Sequence, residues 1–281
     1  MKIRMCAFAD EGGTTIEEQI EALRANNINL VEVRSIDGKN ISKITEDEAA
    51  DYAEKFRAAG IEVWSLGSPL AKAHIYTPVE KEKAEAMHLC RLAAVFGTDK
   101  IRGFSYYTLF PFNKEKRVVE KLKPLLEILE YNGVDFCHEN DTLLYGGRAK
   151  YLKKLLADIP SLKTIYDPAN FIISGESPDE TLAAFAGKAC YFHIKDAVGK
   201  KVVPAGYGDA KIDKLIKGLE RDTVFSIEPH LMFFKGGAGF EKYDFKTKRG
   251  RFDCAADSIK KLLTENGFAE KDGYFEKTKG E

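Results

Sequence analysis

The chain switches eight times between a short apolar run and a longer stretch in which apolar residues recur every three or four positions. The apolar runs, rich in β-branched and aromatic residues, fall at 3–8, 30–33, 61–66, 100–104, 134–137, 162–166, 190–194 and 224–227. The stretches between them carry sets such as Ile16, Ile20 and Leu23, or Leu122, Leu125 and Leu129. The first pattern predicts buried strands and the second predicts amphipathic helices. Thr14 with Glu17, Thr45 with Glu48, Thr77-Pro78 with Glu80 and Ser177-Pro178 with Glu180 mark helix starts, as capping boxes or as proline in the first turn. Gly60, Gly97, Gly133, Gly187 and Gly267 mark helix ends. Eight β-α units over about 250 residues predict a (β/α)8 barrel, with its functional groups at the C-terminal ends of the strands.

Composition narrows the class. No Pro/Ser-rich or Gly/Ser-rich linker divides the 281 residues, so residues 1–281 read as one domain, with a highly charged surface tail at about 269–281. The net charge is −1 and no basic stripe accumulates, which argues against nucleic acid and membrane surfaces as partners. No leader and no membrane-spanning stretch is visible. The five cysteines (6, 90, 137, 190 and 254) are odd in number and lack paired spacing. Three lie in or beside strand runs, which fits buried, reduced thiols in a cytoplasmic protein.

The chemistry concentrates at the ends of the last four strands. Phe136-Cys137-His138-Glu139-Asn140, Ile165-Tyr166-Asp167-Pro168, Tyr191-Phe192-His193-Ile194-Lys195-Asp196 and Phe225-Ser226-Ile227-Glu228-Pro229-His230 each offer one hard-metal ligand. Glu139, Asp167, His193 and Glu228 are spaced by 28, 26 and 35 residues, each about one strand, one helix and two loops, so one cation could be held by all four. Strand parity agrees: Glu139 shares a face with Cys137, and His193 with Tyr191 and Lys195. Three carboxylates and one imidazole suit Mn²⁺ or Mg²⁺ and leave two of six positions for an α-hydroxy-ketone. Glu32 and Arg34 close strand two, Arg102 closes strand four, and Lys195 with Asp196 closes strand seven, so these residues and His230 are expected to line a substrate pocket. An inward Lys195 needs an acidic or oxyanionic partner. Trp64, at strand three, reads equally as an aromatic pocket wall or as core. His138 has outward parity, His88 lies in helix three, and His74 lies in the loop after strand three. The turn Gly206-Tyr207-Gly208-Asp209 reads as the start of a helix rather than a phosphate cradle, and the long loop after strand eight, about 229–251, as a lid, a subunit contact or a surface excursion.

At these residues the chain resembles the xylose isomerase-like superfamily of sugar isomerases and epimerases over essentially its whole length. The strings Asp167-Pro168-Ala169-Asn170 and His193-Ile194-Lys195-Asp196, and the Gly206–Asp209 turn, carry the likeness along with the four ligands. The resemblance implies one divalent cation, Mn²⁺ first and Mg²⁺, Co²⁺ or Zn²⁺ as alternatives. It implies that Glu139 and Glu228 act as an acid/base pair on a carbohydrate, and that the barrels pair into a dimer or tetramer.

Two departures bear on the substrate. Ketose 3-epimerases of that superfamily often carry His three residues after the strand-six Asp and Arg six residues after the strand-seven His. This chain has Asn170 and Gly199 there. Asn170 donates a hydrogen bond but cannot shuttle a proton. An isomerase or epimerase working by enediolate proton transfer is the leading expectation. A metal-dependent lyase or dehydratase using the same site is its rival, and a non-catalytic sugar-binding barrel comes third. The superfamily's DNA-repair nuclease is excluded by the want of its His-rich cluster and of a basic face.

Overall fold

Parallel pairing runs unbroken round the sheet of the computed structural model, which describes residues 1–108 and 114–278. The barrel strands are β1 (Lys2–Ala7), β2 (Leu30–Val33), β3 (Glu62–Leu70), β4 (Lys100–Gly103), β5 (Asp135–Glu139), β6 (Lys163–Tyr166), β7 (Ala189–Ile194) and β8 (Thr223–Ile227). Each pairs with the next, and β8 closes on β1 in parallel from Ile3↔Thr223 to Ala7↔Ile227. The helices are α1 (Ile16–Ala25), α2 (Glu46–Ala58), α3 (Val79–Phe96), α4 (Glu115–Tyr131), α5 (Ala149–Asp158), α6 (Pro178–Phe185), α7 (Ile212–Lys217) and α8 (Lys248–Glu265). A short helix, Pro168–Ile173, separates β6 from α6. This is the (β/α)8 barrel that the alternation predicts.

Side-chain alternation sorts each strand between two cores. Ile3, Met5, Ala7, Phe136, Tyr166, Phe192, Phe225 and Ile227 belong to the large core that also takes the apolar faces of the helices. Cys6, Leu30, Cys137, Ile165, Tyr191 and Val224 fill the barrel interior, with Trp64 and Cys190 packed on them. Both faces of each strand are therefore covered, which is why the strands read as continuous apolar runs. The next inward positions after Cys137, Ile165, Tyr191 and Val224 reach the mouth, at Glu139, Asp167, His193 and, beyond Ser226, Glu228.

Several boundaries differ from the sequence pattern. β3 runs on to Leu70 through Gly67-Ser68-Pro69, with a pairing irregularity against β4 between Leu66 and Leu70. The first capping box is Thr15 with Glu18, one residue later than expected, while Thr45 with Glu48 is as predicted. Pro78 precedes α3 with no side-chain cap, and Ser177 caps α6 by accepting from Glu180 N. Gly187 falls in a 3-10 turn, Ala186–Lys188, rather than closing a helix.

The expected charged tail is largely a hairpin. β9 (Phe268–Glu270) and β10 (Tyr274–Lys277) pair antiparallel, and β10 pairs antiparallel with β1 through Lys2↔Glu276, Ile3↔Phe275 and Arg4↔Tyr274. β1 meets β2 only at Cys6↔Leu30 and Ala7↔Val31, so β10 occupies the N-terminal half of the edge that β2 leaves open. Gly273 makes the hairpin turn at φ +73, and a Cβ there would come within 1.9 Å of Asn29 Nδ2. Phe268 and Phe275 anchor it in the core, while 279–281 lie outside the described residues. Alternating charge hid two inward phenylalanines from a reading based on composition.

Candidate metal centre

Glu139 ends β5, Asp167 follows β6 and caps the short helix, His193 lies in β7 and Glu228 follows β8; all four are buried. Each offers one ligand atom, and these atoms lie within 4.8 Å of one another. His193 Nδ1 is 3.1 Å from Glu139 Oε1 and 3.9 Å from Glu228 Oε2. Asp167 Oδ1 accepts from Asn170 N at 2.9 Å, which leaves Oδ2 for the cluster. The Asn140 amide fixes the Asp167 backbone from both sides, donating to its carbonyl at 2.9 Å and accepting from its N–H at 3.0 Å.

The outer oxygens of the two glutamates are held by arginines. Arg102 Nη1 lies 3.2 Å from Glu139 Oε2, and Arg102 is anchored by donating to Gly67 O at 2.9 Å. Arg34 Nη1 lies 3.3 Å from Glu228 Oε1, while its Nε and Nη2 hold Asp10 at 2.9 Å and Glu11 at 3.0 Å. Phe8 sits against both guanidinium groups, 4.8 Å from Arg34 and 5.1 Å from Arg102, and edge-on to His193 at 5.1 Å. His230, at φ 45, brings Nε2 to 3.3 Å from Glu228 Oε1 and 3.2 Å from Glu11 Oε1. Glu11, Glu228 and His230 form a second cluster of ligand type, but the Arg34 guanidinium already neutralises it.

Behind the ligand histidine stands Glu32. It is fully buried, with Oε2 3.0 Å from His193 Nε2 and accepting from Ser226 Oγ at 2.9 Å, and Oε1 accepting from Tyr191 OH at 2.9 Å. A carboxylate on Nε2 fixes the imidazole so that Nδ1 points into the cluster. Glu32 therefore supports the ligand from the barrel interior and does not line the pocket, a correction to the expectation drawn from its place at a strand end. Trp64 is corrected too. It packs edge-on to Tyr191 at 5.9 Å, beneath Lys100 at 4.3 Å, half-buried against the interior residues and apart from the cavity lining.

The other expected pocket residues do come together. Arg34, Arg102, Asn170, Lys195 and His230 line a cavity of about 350 Å³ over the cluster, with Glu139 and Glu228 in its floor. Lys72, Asp141 and Thr142 complete the wall; they lie in loops after β3 and β5 where nothing in the pattern singled them out. Asn170 Nδ2 donates to Glu139 Oε1 at 3.3 Å. His138 faces away, with Nε2 2.9 Å from Ser105 Oγ, His74 is exposed and His88 is half-buried in α3. Asp196 turns from the mouth and accepts from the N–H groups of Ala197, Gly206, Gly208 and Ala210 at 2.8 to 3.0 Å. The Gly206–Asp209 turn thus already holds an anion of the protein's own. A Cβ on Gly208 would approach Asp196 Oδ1 to 2.3 Å.

Burial and neighbouring charge shift every group of the cluster. Burial alone would push the His193 imidazole down, but Glu32 and Glu139 raise it to about 10. Burial lifts the Asp167 carboxyl to about 7 against the pull of Lys195. Burial opposes ionisation of Glu139 and Glu228 as well, yet His193 and Arg102 hold the first below the usual carboxylate range, and His230, Lys195, His193 and Arg34 hold the second there. Asp167 Oδ2 and His193 Nδ1 are buried, with the Lys195 ammonium 2.8 Å from the first and Glu139 Oε1 3.1 Å from the second. Three carboxylates converging in a buried space repel one another unless positive charge lies among them, and here the protonated His193 imidazole and the Lys195 ammonium supply it. With His193 Nδ1 deprotonated, one divalent cation with oxygen and imidazole ligands would meet the same need. Residues Glu139, Asp167, His193 and Glu228 fit such a group.

Comparison with known proteins gives the relatives of this fold. Residues 20–232 match the model of the family described as xylose isomerase-like TIM barrel. The uncharacterized protein YihM of Escherichia coli strain K12 is 22% identical over 236 residues, covering 78% of this chain and 69% of that protein. Among solved structures, the IOLI protein with a bound zinc atom has a TM-score of 0.72 at 15% identity, over 94% of this chain and 99% of that one. The probable 3-DHS dehydratase AsbF of Bacillus anthracis has a TM-score of 0.70 at 15% identity, over 90% and 98%. D-psicose 3-epimerase with D-tagatose, from Clostridium cellulolyticum H10, has a TM-score of 0.64 at 14% identity, over 93% and 99%. At these identities the structures share the fold.

Proposed function

The chain belongs to the xylose isomerase-like TIM barrel family, and from that premise we propose that it is a divalent-metal-dependent isomerase or epimerase of a sugar or sugar derivative, moving a proton on the carbon beside a carbonyl. The observation that carries the reading is the buried cluster of Glu139, Asp167, His193 and Glu228, whose ligand-type atoms lie within 4.8 Å of one another under a cavity of about 350 Å³. A divalent cation there, Mn²⁺ first among candidates, supplies Lewis-acid stabilisation of the oxyanion that forms as the proton leaves.

The chain's own residues do the rest. Glu139 and Glu228 reach the cavity from β5 and β8, each with one oxygen in the cluster and the other on an arginine. Both are kept ionised, so either accepts the substrate's proton and the other, once protonated, returns one. Asn170 and His230 offer hydrogen bonds to hydroxyl groups at the cavity wall. Burial and the two arginines exclude bulk water from the Glu pair.

A lyase or dehydratase on a keto-sugar is the second reading. Lys195 and His230 both line the cavity beside the Glu pair, and either could protonate a departing hydroxyl. Incubation with Mn²⁺ and a panel of ketoses, 3-keto sugars and inososes in D₂O separates the two. Deuterium beside the carbonyl of an isomeric product is the expected result, whereas loss of water to an unsaturated carbonyl would indicate the lyase. Glu139→Gln and Glu228→Gln should each keep the fold and lose at least about a thousandfold in turnover, since an amide accepts no proton. Near wild-type turnover in both variants would remove the acid/base pair.

A further inference from the structure

Three carboxylates converge on His193 at the mouth, and the arginines grip only the outer oxygens of the two glutamates. The inner oxygens are met by an ammonium. Lys195 Nζ lies 2.8 Å from Asp167 Oδ2 and 2.5 Å from Glu228 Oε2, with the side chain buried. Asp167 Oδ2 is the oxygen that the Asn170 amide leaves free, and Glu228 Oε2 the one that Arg34 leaves free. They are therefore the oxygens a metal would take. A dication bound to them would stand next to the ammonium in a site of low polarisability, where like charges repel strongly.

We propose that Lys195 is the resident counter-cation of the metal-free cluster, that it competes with the metal for Asp167 and Glu228, and that it withdraws into the cavity it lines when the metal enters. The inference rests on the metal reading above. Without the ammonium, Asp167 Oδ2 and Glu228 Oε2 would lose their nearest positive charge in the metal-free protein, and removing one partner of a buried ion pair is strongly destabilising. A long, flexible ammonium chain can fill the gap and leave it again, which a guanidinium anchored at several points cannot. Arg34 and Arg102 are anchored in that way by Asp10, Glu11 and the Gly67 carbonyl. Lys195 is also one of the residues that line the cavity, so its path outward is open. It moves as an ammonium and no bond is made or broken.

The test is a calorimetric titration of wild type and Lys195→Met with Mn²⁺ at one pH, with thermal melts in EDTA and in excess Mn²⁺. The variant should bind Mn²⁺ at least about tenfold more tightly, because the competing charge is gone. It should also melt at lower temperature than wild type in EDTA, with the deficit largely recovered in Mn²⁺. A variant that folds only once Mn²⁺ is added supports the same conclusion. Wild type that binds no metal would overturn the metal reading and this inference with it. Wild type that binds while the folded variant binds equally or more weakly would overturn this inference alone. If the variant folds under neither condition, a crystal structure of wild type with Mn²⁺ decides: Nζ drawn away from both oxygens upholds the proposal, and Nζ still within hydrogen-bond distance of both defeats it.

Discussion

Neighbouring residues on β5 serve opposite faces of the sheet. Glu139 reaches the mouth, while His138 is buried against Ser105 and its imidazole is pushed down to about 4 by burial. In the unfolded chain it titrates near 6.5. The unfolded state therefore takes up a proton that the folded state refuses. The contribution is full above the unfolded value and is lost as pH falls toward the folded one, amounting to about 2 kcal/mol between pH 7 and pH 5. Asp167, raised to about 7, titrates in the opposite sense over this range, so the test is a difference: by urea denaturation, His138→Gln should gain about that amount relative to wild type between pH 7 and pH 5, and an unshifted difference would mean that His138 does not carry it. At this scale the convergence of Glu139, Asp167, His193 and Glu228 was legible because strand parity and ligand type coincide. Glu32 misled, since a carboxylate at a strand end looks alike whether it faces substrate or, as here, the far nitrogen of His193. Asp10, Glu11 and Phe8, which orient the arginines, gave no signal because their partners are far away in sequence.

Helices and strands were legible in kind and less so at their ends. The barrel strands announced themselves through apolar runs that must be covered on both faces. β3 ran past its expected end because Gly67-Ser68-Pro69, which looks like a turn, stays extended and lends the Gly67 and Ser68 carbonyls to Arg102. The hairpin of β9 and β10 was hidden for the opposite reason, its charges masking Phe268 and Phe275. Phe275 is 1% exposed, so Phe275→Ala should cost about 3 kcal/mol in chemical denaturation. A cost below about 0.5 kcal/mol would be that of a surface position and would return the segment to the status of a tail.

Across the whole molecule, the loop between β8 and α8 is pinned rather than loose. Phe234, Phe240, Tyr243 and Phe245 pack against one another, edge-on or tilted, with centroids 5.2 to 6.4 Å apart, and Tyr207 joins Phe240 at 4.8 Å. Met232 and Phe233 stand out beside the mouth, 70% and 89% exposed. Apolar side chains held out by a rigid base suit a contact between copies, and we expect a dimer or tetramer. Light scattering at micromolar concentration checks this: Phe233→Asp should shift the protein toward monomer, and a monomeric wild type would end the idea. Among the described residues no helix is long and apolar enough to cross a membrane. The pairing of β1 also sets a timetable for synthesis. Its two edges are completed by residues 223–227 and 274–276, so β1 waits during synthesis for segments far downstream of it before it can be sealed into the barrel. Until then its open edge is exposed to other nascent chains, and a chaperone that shields it would raise the yield of folded protein without altering its final stability.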